Sequence, residues 1–176
     1  MNFFKYYYTY CFIFGLLFKH FANTIGIFSG EQAIIYYAEI HKNYYNEIIH
    51  RTTIPIATYY FLNSVPQLIG LDYTNSAKLR GGIYTVILTH YAIDIDFINA
   101  INVAIIYVPI MLLANFNHNM NGGTKYYALY NLLRASMIMI FAETIGHTIF
   151  EGTQSRPEGV LNAILFSPYF VVNGIE

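Results

Sequence analysis

Two runs of twenty residues without a charge, 52–71 and 97–116, restrict this chain more than any other feature. A helix of that length rises about 30 Å, the thickness of a bilayer's hydrocarbon core. In such a medium every backbone N–H and C=O must find its partner within the protein, which for long apolar segments means helix. Further apolar runs occupy 81–93, 126–150 and 160–175. The expectation is an all-α, multi-spanning transmembrane helix bundle of about five spans. Composition agrees: 11% of residues are charged and 56% are hydrophobic, where a soluble domain carries about 25% charged residues. Residues 117–125 read as a turn.

The net charge of −1 offers no basic surface, so nucleic acid is excluded as a natural partner. One cysteine, Cys11, cannot build a disulfide framework. Residues 3–18 are aromatic and apolar apart from Lys5 and show no clear small-residue cleavage site. Residues 1–28 therefore read as a retained membrane or interfacial segment, and 29–176 as one membrane-embedded domain. Ser29 and Gln32 have the spacing of a capping box. In the helix they open, Ile34, Ala38, His41, Tyr45 and Ile48 recur at helical spacing, with Glu31, Glu39, Lys42 and Glu47 off that stripe. Such a helix would lie in the membrane interface with His41 on its apolar side.

The stretch 41–55 carries two histidines nine residues apart, His41 and His50. On one unbroken helix they would point to roughly opposite faces. Asn43 and Asn46 compete with helical hydrogen bonding, so the pattern predicts a break at 43–46 and a new helix from Asn46. Both imidazoles then turn toward one point. Alternating the spans brings His41, His50, His90, Glu143, His147 and Glu151 to one membrane face and His118 to the other. Lysine and arginine divide almost evenly between the loops, so orientation stays open. His20 and His118 read as ordinary polar positions.

Glu143 and His147 are spaced i, i+4, as are His147 and Glu151, so each pair shares a helix face. Ionisable groups at membrane depth are costly and mark candidate sites. One account is a structural Glu–His hydrogen bond beside unrelated interfacial histidines. The other is a metal site built from His41, His50, His147 and Glu143, with His90 in reserve and Asn46 and Glu151 supporting it. Imidazoles plus a carboxylate with open positions suit non-haem Fe(II) better than a closed structural zinc. No H-E-x-x-H, H-x-x-x-H or H-x-x-H-H box is present, and six histidines are too few for a di-iron hydroxylase. No G-x-S-x-G elbow appears, and Gly81-Gly82 and Gly122-Gly123 read as loop glycines.

Two blocks of the chain resemble the fungal-type 2-hydroxy fatty acid dioxygenases, small multi-spanning membrane proteins of fatty acid α-oxidation. The first is His41-x4-Asn46-x3-His50-x4-Pro55, similar to that family's Y-H-x-N-P-x-N-x-x-x-H. The second is Ile145-Gly146-His147-x3-Glu151-x5-Pro157, followed by Leu165-x-x-Pro168-Tyr169-Phe170, similar to its G-H-x-x-F-E block and A-P-Y-F tail. The resemblance implies a ferrous iron held by histidines of both blocks, a 2-hydroxy fatty acid and O2 as substrates, and loss of one carbon. It also implies the endoplasmic reticulum membrane. Tyr44 stands in place of a proline, Ile40 in place of a tyrosine, and Glu143 in place of a glutamine or histidine. Two rival readings are a membrane protein binding haem through two axial histidines, and a non-catalytic membrane organiser or small transporter.

Overall fold

A computed structural model describes residues 6–121, 124–152 and 160–174. Lys5, Gly122-Gly123 and Pro157 lie outside the described residues. The described chain is helical throughout, without strands. Its elements are α1 (Tyr7–Ala22), α2 (Gly30–Ile40), α3 (Tyr44–Leu68), α4 (Tyr73–Asp94), α5 (Phe97–Asn121), α6 (Lys125–Glu143), a π-helical continuation of α6 (Thr144–Glu151), and α7 (Val160–Asn173). Side-chain caps start the helices where the sequence places short polar residues. Ser29 and Gln32 form the expected capping box on α2, Asn43 caps α3, Asp72 caps α4 and Thr124 caps α6.

Helices α3 to α6 run up and down as an antiparallel bundle, with α3 against both α6 and α5, and α4 against α5. α1 lies along α4 and parallel to it. Tyr7 and Tyr8 sit over Gly82 and Gly81, Gly15 meets Val86 and Thr89, and Phe18 packs edge-on to His90. A side chain at Gly82 would collide with the Tyr7 hydroxyl, so the glycines expected in a loop instead serve helix-on-helix packing.

Two helices, Phe97–Met120 and Lys125–Glu151, are long and apolar enough to cross a membrane. Five spans do not emerge. α3 carries Glu47 and Arg51 in its first turns and buries Asn63, Ser64 and Gln67 further on, while α4 carries Lys78 and Arg80. The segment expected as a last span is only 14 residues as α7, about 21 Å of helix. It lies beside α2: Asn162 accepts from the Phe28 amide, and Phe170 stacks on Tyr37 at 3.9 Å between ring centres. That stacking also selects the buried face of α2. The face is Gly30, Ala33 and Tyr37, one residue off the expected Ile34 and Ala38 stripe, and His41 continues it. The turn expected over 117–125 is shorter than its composition suggests, because α5 stays helical to Asn121.

His118, at the far end of α5, is not an ordinary surface position. It is buried and accepts at Nδ1 from Arg80, whose other bonds go to Asn115 and to the Leu62 carbonyl. Leu62 stands four residues before Pro66, which has no N–H to offer it. The fully buried Arg80 thus replaces a missing helical bond, at 2.8 Å. Arg80→Met should cost ~1–3 kcal/mol for each acceptor it orphans. Pro66→Ala should recover part of that loss, since it restores a donor to Leu62. Denaturation of the four variants of this cycle in detergent measures the coupling, and strict additivity would remove the proline from the explanation.

Candidate metal centre

α2 stops at Ile40, and His41 is its C-cap with an extended-like backbone (φ −122°, ψ 74°). Asn43 then opens α3, its side chain accepting from the Tyr45 amide at 2.9 Å. The break falls at 41–43, a few residues before the Asn46 start expected. Asn46 sits inside the new helix, fully buried.

The break is held from across the bundle. Glu151 Oε1 accepts from the Asn43 amide at 2.7 Å and from Asn46 Nδ2 at 3.2 Å. Asn43 Nδ2 donates to the Phe150 carbonyl at 3.1 Å. Both acceptors belong to the π-helical segment, whose wider turn ends at Gly152 in the left-handed region (φ 65°). π-turns inserted in α-helices recur at functional sites. This one offers Glu151 to the break while turning His147 inward.

His41, His50 and His147 converge as a result. Their ring centres are 4.8, 4.8 and 5.2 Å apart, and each offers a ligand nitrogen within 4.8 Å of the other two. They are 8%, 7% and 3% exposed. A shared ion with bonds of ~2.0–2.1 Å needs the rings to draw in by about an ångström. His41 Nδ1 lies 3.2 Å from the Tyr37 carbonyl. A carbonyl only accepts, so that nitrogen carries the proton and Nε2 is left as the ligand atom. His50 Nε2 is buried with no hydrogen-bond partner, and an unpartnered buried acceptor is costly without an ion or a donor. A Cβ on Gly146 would fall onto Asn46 Oδ1 and come within 3.2 Å of His50 Nε2. Three facing imidazoles, an orphaned nitrogen among them, and a glycine whose bare backbone lets Asn46 and His50 close in together fit a divalent transition metal.

Two expected ligands stand elsewhere. Glu143 is outside the converging group; its Oε2 lies 3.7 Å from His147 Nε2, and its side chain is 38% exposed. Facing that same nitrogen and partly exposed, it escapes the desolvation cost that argued for metal binding. His90 also falls outside the group. Its position on α4 sets it among Phe18, Phe166 and Tyr91, 3.9 Å from Asp94. The residue the sequence missed was Tyr37. Its i, i+4 spacing before His41 was the available signal, obscured by the abundance of tyrosine.

Burial pushes the His41 imidazole down from 6.5 to about 4, and the neighbouring His147 adds to the effect. The folded protein thus holds it neutral, in the ligating form, at pH 7. The unfolded chain takes up this proton first as pH falls, so the part of metal-free stability that rests on neutral His41 should be lost between pH 6.5 and 4. Thermal unfolding in detergent should show that slope, reduced in His41→Gln. Gly146→Ala should abolish metal binding while leaving helicity intact, read by metal content and circular dichroism.

No protein-family model, curated protein or solved structure matches the chain.

Proposed function

We propose that this protein is a membrane-embedded, Fe(II)-dependent dioxygenase that shortens 2-hydroxy fatty acids by one carbon. The observation that carries the reading is the convergence of His41, His50 and His147, the first two of which line a small, largely apolar cavity of about 20 Å³. His41, His50 and His147 would hold the ion and leave positions open for a chelating acid and O2. The reaction balances with one O2 per acid, giving the acid one carbon shorter, CO2 and water. Bound Fe(II) would supply a centre that accepts the acid's carboxylate and hydroxyl and activates O2.

The chain's own residues do the rest. The Tyr37 carbonyl fixes the His41 ring, and Glu151 holds the break that aims His41 and His50 together. Glu143, 3.7 Å from His147 Nε2, is an outer carboxylate able to accept a proton from that ring or to approach an ion. Tyr37, Ile54 and Phe170 line the cavity and would keep water from the first carbons of an acyl tail.

The membrane reading extends from the two apolar helices to all four long helices, α3 to α6, each 19 to 25 residues. α2 and α7 would then lie across the histidine end. Placement in the endoplasmic reticulum rests on the resemblance of the two sequence blocks. Haem is disfavoured by the edge-to-face contacts of the three rings, since two axial ligands require a flat slot between opposed imidazoles.

Protein purified without oxygen should hold about one iron per chain. His41→Ala, His50→Ala and His147→Ala should each lose most of it, while Glu143→Gln should cost ~10–100-fold in affinity or activity. Iron-loaded protein given a 2-hydroxy fatty acid and O2 should release the acid shortened by one carbon. Full iron occupancy without that product would overturn the dioxygenase reading, and a Soret band would replace it with haem binding.

A further inference from the structure

Lys125–Glu151 is a helix long and apolar enough to cross a membrane, and after its first residue it carries a single lysine or arginine, Arg134. That side chain is half-buried, with Leu133 and Met137 beside it exposed. Nη2 donates to the Tyr130 hydroxyl at 2.8 Å. The central guanidinium carbon lies 4.0 Å from the centre of the Tyr130 ring and 5.4 Å from that of Tyr60 on α3. Rings from two helices therefore hold the plane of the group. Such contacts lower the cost of a charge in an apolar setting but bring no counter-charge. Among the described residues no carboxylate pairs with Arg134. Most of its N–H donors are left over.

The depth of the group along the helix follows from simple lengths. The 27 residues make a helix of about 40 Å against a hydrocarbon core of about 30 Å, so a centred helix overhangs by about 5 Å at each end. Arg134 leaves the helix about 13 Å from the Lys125 end. Its side chain turns back toward Tyr130, the direction in which helical side chains lean. The guanidinium thereby comes within a few ångströms of the hydrocarbon edge, where lipid phosphates are in reach. Deeper in the bilayer the same face carries Met137 and Phe141, both exposed. This is the Arg80–His118 end of the bundle, away from the three imidazoles.

We propose that Arg134, clamped by Tyr60 and Tyr130, binds the phosphate of an anionic phospholipid lying in the seam between α3 and α6. A guanidinium in a fixed plane takes phosphate oxygens in pairs. The occupant is a lipid rather than a free anion, because the charge lies at headgroup depth and the exposed side chains below it are apolar, as acyl chains require. This rests on the membrane reading given above and is independent of the metal. The competing account is an interfacial anchor satisfied by its two tyrosines alone.

The test is native mass spectrometry of the detergent-solubilised full-length protein, equilibrated with equal amounts of phosphatidylglycerol and phosphatidylcholine of matched acyl chains. The wild-type protein should retain phosphatidylglycerol about fivefold over phosphatidylcholine, the effect of one arginine at an anionic surface. Arg134→Gln should remove the preference, and Tyr60→Leu, which frees the guanidinium plane, should weaken it. Circular dichroism checks that both variants fold. No preference in the wild-type protein, or an unchanged one in Arg134→Gln, overturns the proposal. If Arg134→Gln fails to fold, Tyr60→Leu decides alone, and an unchanged preference there overturns it. Displacement of the lipid by millimolar inorganic phosphate would make this a free-anion site and overturn the lipid assignment. A dimer that is lost in Arg134→Gln would put a second copy's carboxylate there and overturn it as well. Protein that stays dispersed in water without detergent would sink the membrane reading together with this one. Detergent-dependent protein without lipid preference sinks this proposal alone.

Discussion

A helix continuing past Ile40 would send His41 and His50 to opposite faces, and the bonds that stop it come from 108 residues away. Glu151 Oε1 takes the Asn43 amide and the Asn46 side chain, and the Phe150 carbonyl takes the Asn43 side chain. A backbone amide freed by a helix break and left dry would be expensive. A carboxylate satisfies it and adds the attraction of negative charge for a helix N-terminus. The same segment presents His147. One set of contacts therefore both ends α2 and assembles the three imidazoles, so neither block of sequence makes the site alone.

The opposite end of the bundle solves a different form of the same problem. Pro66 removes a donor from α3, and Arg80 of α4 supplies one to the Leu62 carbonyl. Asn115 and His118 of α5 complete the guanidinium's partners. Three helices are tied together where a fourth bond in one of them is missing. In a low-dielectric interior such a network is worth more than its members in water.

At the histidine end the aromatic residues take on the packing. Tyr37 stacks on Phe170 and faces His41 with nearly parallel rings. Tyr91 donates to the Leu165 carbonyl and stacks on Phe166. α7 is thereby joined to α2 through Tyr37 and to α4 through Tyr91, while it packs on α3 and α5. The cavity beside the imidazoles is the gap these rings leave, which explains why its wall is apolar up to the Glu47–Arg51 pair.

Local rules were legible in the sequence. The two uncharged runs of bilayer length fall largely within α3 and α5, because a long apolar segment satisfies its backbone groups best as helix. Ser29-x-x-Gln32 marked the start of α2, since a hydroxyl and an amide at that spacing satisfy two orphan N–H groups at once. Asn43 marked the break, because asparagine caps a helix better than it extends one, whereas Asn46, expected to open the new helix, lies inside it. What pairs with what was decided only by tertiary structure. The buried face of α2 moved by one residue because Tyr37 found Phe170. α7 packs on α3 and α5 and reaches α2 through Phe170, and its 14 residues are too few to span. His118 and Arg80 met because α4 and α5 are antiparallel. Glu143 stayed outside the histidine group although it shares a helix face with His147. Spacing along one helix states which direction a side chain leaves it; the distance to a group on another helix depends on packing that no local pattern encodes.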